Sequence, residues 1–203
     1  MRGAAGLAVA AILAGAGLGR NALAQSFTDD FADRADGAKV HSASGFVCPL
    51  KIGGFERDAV GQYQPEQNSV FCAYSARDGV YGTVVLKPLS GPYDPPASLD
   101  REFALQSGTG GRQIGEATLK LPGRPDSVVV YSRSYETARL LDAHYRALYT
   151  GAGFANWAVE TTIEYAEPRD SDSKQEFLSA VYSAAKAGFP AAVAPLAAGT
   201  APR

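Results

Sequence analysis

The feature that most restricts how this chain folds is a pair of cysteines, Cys48 and Cys72, the only two in 203 residues. Each sits in a short apolar run, and a third run, Val80 to Leu86, follows closely. Read as strands with a period of two, Phe46, Cys48 and Leu50 share one face of the first run, and Val70, Cys72 and Tyr74 share one face of the second. Both thiols therefore point to the core side, and Gly45 to Lys87 reads as an antiparallel meander stapled by a disulfide. Closing that loop of roughly 25 residues stabilises the fold by about 3.5 kcal/mol through lost chain entropy in the unfolded state. A redox pair would need the close spacing of Cys-x-x-Cys, and a metal site about four ligands. Two cysteines and two distant histidines supply neither, so no metal and no cofactor are expected.

A disulfide needs an oxidising compartment, and the first residues read as the route to one. Arg2 supplies a positive start, Gly3 to Gly19 is uncharged and built on Leu7, Val9, Ile12, Leu13 and Leu18, and Ala22-Leu23-Ala24 fits an A-x-A cleavage site. Residues 1–24 are thus expected to be a signal peptide, leaving a periplasmic or secreted protein with no membrane span. With Arg2 and Arg20 in the leader, the remainder is weakly acidic and has no block of Lys or Arg. That composition offers nucleic acid no electrostatic footprint.

Residues 25–41 form an N-terminal segment in which Phe27 and Phe31, four apart, suggest a turn or two of helix. The stretch Ile52 to Gln67, with Gly53-Gly54, Gly61 and Pro65, reads as a loose connection between the cysteine strands, in which Phe55 and Val60 suggest a brief extra strand. Arg77-Asp78-Gly79 is a hairpin turn, since Asp-Gly suits positive φ, so strands over 68–76 and 80–87 should pair. Ser98 reads as the cap of a helix over Leu99 to Ser107. Strands follow from Gly115 and over Val128 to Tyr135. Residues 138–149 satisfy both a strand and a helix pattern. The strand is preferred, because Gly151-Ala152-Gly153 then turns into Trp157, Val159, Thr161, Ile163 and Tyr165, a clean alternating face. Ser173 with Glu176 fits a capping box for a last helix carrying Phe177, Leu178, Val181, Tyr182 and Ala185, which ends at Gly188. The Ala/Pro-rich residues 189–203 are expected to be disordered.

That order of elements describes one α+β domain over 42–188, mainly an antiparallel sheet with a mid-chain helix and a C-terminal helix packed on it. The strand Val80 to Leu86 before a loop and helix, and the strand Trp157 to Tyr165 before the last helix, make residues 42–187 resemble the PsbP/Mog1-like group of α-β-α sandwiches. The resemblance is one of element order, and it implies a fold and no functional residue.

Chemical motifs are few. Gly108-Thr109-Gly110-Gly111 follows a helix and precedes a strand, with no Gly-Lys-Ser/Thr, so it is no phosphate loop. Ser171-Asp172-Ser173-Lys174 matches Ser-x-x-Lys but lacks the partner motifs of penicillin-binding enzymes. No Gly-x-Ser-x-Gly and no His-Glu-x-x-His occurs, and His41 sits in an expected loop. Glu160 and Glu164 share one face of a strand roughly 13 Å apart, wider than glycosidase carboxylates. With a turn at 151–154, Arg146 should lie near Glu160, and Asp142 or His144 near Glu164. Asp142, His144, Arg146, Glu160 and Glu164 then form either a solvated salt-bridge face or a recognition patch made pH-sensitive by the histidine. The expectation is an exported, non-catalytic accessory or binding module whose partner is an envelope protein or a small ligand. A small envelope hydrolase and a structural assembly protein are the alternatives.

Overall fold

A computed structural model describes residues 30–76, 79–107, 112–120, 129–136, 145–167 and 169–188. The expected signal peptide and the 189–203 tail lie outside these residues, as do Asp142 and His144. The strands are β1 (Phe31–Asp33), β2 (Lys39–His41), β3 (Val47–Cys48), β4 (Lys51–Ile52), β5 (Phe55–Gln64), β6 (Ser69–Ala76), β7 (Tyr81–Pro88), β8 (Arg112–Lys120), β9 (Val129–Glu136), β10 (Tyr145–Phe154) and β11 (Trp157–Ala166). Helix α1 spans Pro95–Ser107 and α2 spans Ser171–Gly188. Among the described residues β1–β3 form a small sheet, and the other strands form a large one ordered β4-β5-β6-β7-β11-β10-β9-β8. Every neighbouring pair is antiparallel. The α+β class read from the sequence is the fold observed.

Period-two alternation decides which helix each side chain meets. Val84, Leu86, Val159 and Ile163 face α2, whose Phe177, Leu178, Val181 and Tyr182 complete the main core. A Cβ on Gly82 would sit 2.5 Å from the Phe177 ring, so only glycine lets α2 settle this deeply on β7. The opposite face carries Ala147, Tyr149 and Tyr135 beneath Leu99 and Phe103 of α1.

Four expectations are corrected. Phe31–Asp33 is a strand rather than helix, because Phe31 pairs with His41 and is buried in the core. The region 52–67 holds a ten-residue strand, β5, which pairs along β6 with two register shifts. Cys48 and Cys72 are bonded, with Cα atoms 6.2 Å apart, but they sit in β3 and β6. The bridge therefore clamps the small sheet to the large one rather than joining neighbouring strands. Finally, β10 runs through Gly151-Ala152-Gly153 to Phe154, and the hairpin turn is Ala155-Asn156, with Ala155 at φ 50°.

The helix starts also differ from the sequence reading. Asp94 caps α1, its Oδ1 accepting the Ala97 N–H at 3.2 Å, while Pro95 and Pro96 occupy the first turn, where a missing N–H is harmless. Helix α2 begins at Ser171, which puts Ser173 inside its first turn. The preceding Asp170 is buried and accepts the Ala166 N–H at 2.7 Å, tying the helix start back to the end of β11. The Arg169 side chain holds the Asp170 carboxyl below its ordinary range.

Candidate binding cleft

The late hairpin turn separates Arg146 from Glu160, two of the three described residues expected in a polar patch. Arg146 lies opposite Tyr165, which belongs to the α2 face, and its Nη2 is 3.6 Å from Glu136 Oε1. Glu160 lies opposite Gly151 and Val85 on the α1 face and is buried. The expected Arg146–Glu160 pair is therefore not formed. Glu164 shares the α1 face with Glu160 at the far end of β11, opposite Ala147 and Tyr81.

Glu160 instead belongs to a charged cluster under α1. Lys87 stands diagonally across from it, because β7 pairs Lys87 with Ala158 and Val85 with Glu160. Its Nζ is 2.6 Å from Glu160 Oε2, an ion pair outside hydrogen-bonding angles, and 3.0 Å from Glu102 Oε2 of α1. Glu102 is 2% exposed and also accepts a hydrogen bond from Tyr63 of β5. Glu160 Oε1 accepts the hydroxyls of Tyr93 at 2.9 Å and Ser98 at 2.5 Å. The side chain expected to cap α1 thus reaches down from its first turn to a buried carboxylate.

Tyr93 reaches Glu160 because the strand beneath it lacks side chains. A Cβ at Gly151 would collide with the Tyr93 hydroxyl, and one at Gly153 would sit 3.5 Å from Tyr93 Cβ. The Gly-x-Gly of β10 is thus a slot for an aromatic ring, which explains glycines that otherwise read as a turn.

Burial opposes the charge on Lys87, but the carboxylates of Glu160 and Glu102 outweigh it and hold the ammonium above its ordinary pKa. Burial, and then the Glu160 charge, push the Tyr93 phenol well above its ordinary value. Burial and the charge of Glu102 do the same to Tyr149. Near neutral pH the lysine therefore keeps its charge and the phenols keep their protons.

Beside the cluster opens a cleft of about 300 Å³, lined by Gln64, Lys87, Leu89, Asp94, Arg101 and Glu102 among others. This is at the lower end of the volumes typical of small-ligand sites. Among the described residues no group of three or more His, Cys, Asp and Glu side chains is placed to hold a metal ion. No described helix is long and apolar enough to cross a membrane.

Sequence reasoning did not single out Lys87, Glu102 or Tyr93, and read Ser98 only as a cap. Two signals were available. Lys87 shares a face with Val85 in a strand rich in apolar residues. Glu102 lies on the stripe of Leu99 and Phe103, three and one residues away, where a solvated carboxylate has no place.

Fold and cleft together define a protein with a helix on each face of an antiparallel sheet and a ligand-sized opening under one of them. No family model matches the sequence, and no curated protein resembles it. Among solved structures, the chain is similar to the solution structure of cyanobacterial PsbP (CyanoP) from Synechocystis sp. PCC 6803. That similarity has 14% identity and a TM-score of 0.47, covering 75% of this chain and 89% of the other. The PsbP-like resemblance noted in the order of elements is thus met by a weak structural one, and no activity is carried across from it.

Proposed function

We propose that this chain is an exported, non-catalytic binding module that takes a small ligand in the cleft beneath α1. The observation that carries the reading is an open cleft of about 300 Å³ whose buried cation is paired within the protein. Lys87 is held charged between two carboxylates, and Tyr93 is held protonated. General acid–base work needs a group whose pKa lies near the working pH, and these have been moved away from it. The Cys48–Cys72 bridge supports an oxidising compartment, periplasmic or extracellular. Assembly through an apolar surface has less support. The large exposed apolar side chains Leu50, Tyr81, Leu105, Ile114 and Val129 fall on different strands, loops and helices rather than one patch.

The test is a thermal-shift screen of a small-molecule library on the disulfide-bonded protein, repeated with Ala97→Trp. Ala97 lines the cleft, and an indole there would fill it. The expected result is at least one compound that raises Tm in the wild type and has no effect on the filled variant. Equal stabilisation of both proteins, or none of either, would sink the proposal.

A further inference from the structure

The charges lining the cleft are of two kinds. Lys87 and Glu102 pair with each other at 3.0 Å and are 14% and 2% exposed. Asp94 and Arg101, on the same wall, are exposed and make no ion pair with any described residue. Asp94 spends one oxygen on the α1 cap. Seven residues along α1 set their backbones about 10 Å apart along the helix axis. The walls between and across from them combine apolar Leu89 and Leu105 with the amides of Gln64 and Gln67.

We infer that the ligand is a small zwitterion whose ammonium and carboxylate stand several ångströms apart, and specifically a short peptide with free termini. This rests on the reading of the cleft as a ligand site. Three extended residues span about 10 Å at 3.3–3.6 Å each, comparable to the axial spacing of the two residues on α1. The peptide ammonium would meet the Asp94 carboxylate, and its carboxylate would meet the planar fork of Arg101, a geometry suited to bidentate pairing. Peptide groups between the termini would face the two glutamine amides, which both donate and accept. The buried Lys87–Glu102–Glu160 cluster then serves as a floor that keeps α1 in register, since its charges are satisfied within the protein.

The experiment is isothermal titration of the disulfide-bonded protein with trialanine, N-acetyl-trialanine and trialanine amide. The variants are Arg101→Gln and Asp94→Asn, the latter because asparagine keeps the helix cap and loses only the charge. Trialanine should bind. Each capped peptide should bind at least tenfold more weakly, Arg101→Gln should erase the discrimination against the amide, and Asp94→Asn should erase that against the acetylated form. Raising salt should weaken trialanine in the wild type and have less effect in either variant. Equal binding of the three peptides, or wild-type affinity in both variants, would overturn the inference. Absence of peptide binding, with a library compound still lost on Ala97→Trp, would overturn the zwitterion alone. No binding of any compound would overturn both it and the proposed function.

Discussion

The two faces of the large sheet are built on opposite principles. Helix α2 lies on its face through Phe177, Leu178, Val181, Tyr182 and Ala185, all fully or almost fully buried in the main core. The one polar tip there is satisfied, since the Tyr182 hydroxyl bonds Thr150 Oγ1 at 2.6 Å and donates to the Val159 carbonyl at 3.3 Å. Helix α1 is held differently. Leu99 is its fully buried apolar anchor, Phe103 is half-buried and stacks on Tyr135, and polar attachments run from Ser98 to Glu160, from Glu102 to Lys87 and Tyr63, and from Asp100 to Arg133. The α1 face also leaves the buried Tyr135 hydroxyl without a partner among the described residues. Apolar burial is non-directional and stabilises in proportion to area. A buried charge cluster adds little net stability, yet each member depends strongly on the others. One helix therefore supplies stability, and the other supplies a wall of fixed geometry beside a cleft.

The largest effect separating the two is Phe177→Ala. Phe177 fills the hollow over Gly82 and touches the rings of Phe55 and Tyr74, with centroids 5.0 and 6.0 Å away. Its truncation should lower stability by about 3–5 kcal/mol, read as a shift of the urea midpoint with unchanged m. A loss under 1 kcal/mol would mean that α2 is not what holds the sheet.

The charged cluster breaks in a different way. Lys87→Met leaves Glu102 and Glu160 facing each other with no cation between them and should cost about 3 kcal/mol, at the low end for a broken buried pair because 14% of the lysine side chain reaches water. Replacing all three charges at once, with Lys87→Met, Glu102→Gln and Glu160→Gln, whose amide oxygens can still accept the Tyr63, Tyr93 and Ser98 hydroxyls, should restore most of that loss. If the triple variant is less stable than Lys87→Met, the cluster stabilises the fold in its own right and the contrast between the faces fails.

This contrast also explains what could be read from the sequence. The α2 stripe and the alternation of β7 and β11 were legible because apolar residues recur at the period of the element that buries them. Strand β5 was legible only as a brief strand at Phe55 and Val60, because the burial along its ten residues is sparse and the glycines around it read as loop punctuation. Gly151-Ala152-Gly153 misled for a related reason: glycine marks both a turn and a slot, and the ring that fills this slot comes from Tyr93, far away in the chain. Glu160 was placed on its correct face but assigned to solvent. Alternation sorts a strand into two faces without saying whether a helix covers the second, and the helix expected over Leu99 to Ser107 carries too weak an apolar stripe to show that it lies over Glu160. The cysteine pair was legible as a bridge, though its reach from one sheet to another was not, since the three short strands of the small sheet have almost no periodicity to read.

The smallest effect expected is on neither helix face but where the small sheet docks on the large one. His41 of β2 is 3% exposed, packs between Phe31 and the edge of Trp157 from β11, and has its Nδ1 2.7 Å from Ser44 Oγ. Burial lowers its pKa, and the Asp30 carboxylate only partly opposes this. The folded state therefore prefers the neutral ring, while the unfolded chain takes up a proton at the ordinary value near 6.5. The histidine's contribution is fully present above that pH and falls away as the pH drops through 6.5 toward the folded value. The urea midpoint should decline between pH 7.5 and pH 5, and His41→Phe, which keeps a ring and removes the proton site, should flatten the decline. Because the Cys48–Cys72 bridge holds the neighbouring β3 to β6 at every pH, acid should lower the amide protection factors, corrected for the intrinsic pH dependence of exchange, in β1 and β2 before those in α2. If protection in α2 falls first, the small sheet is the firmer of the two.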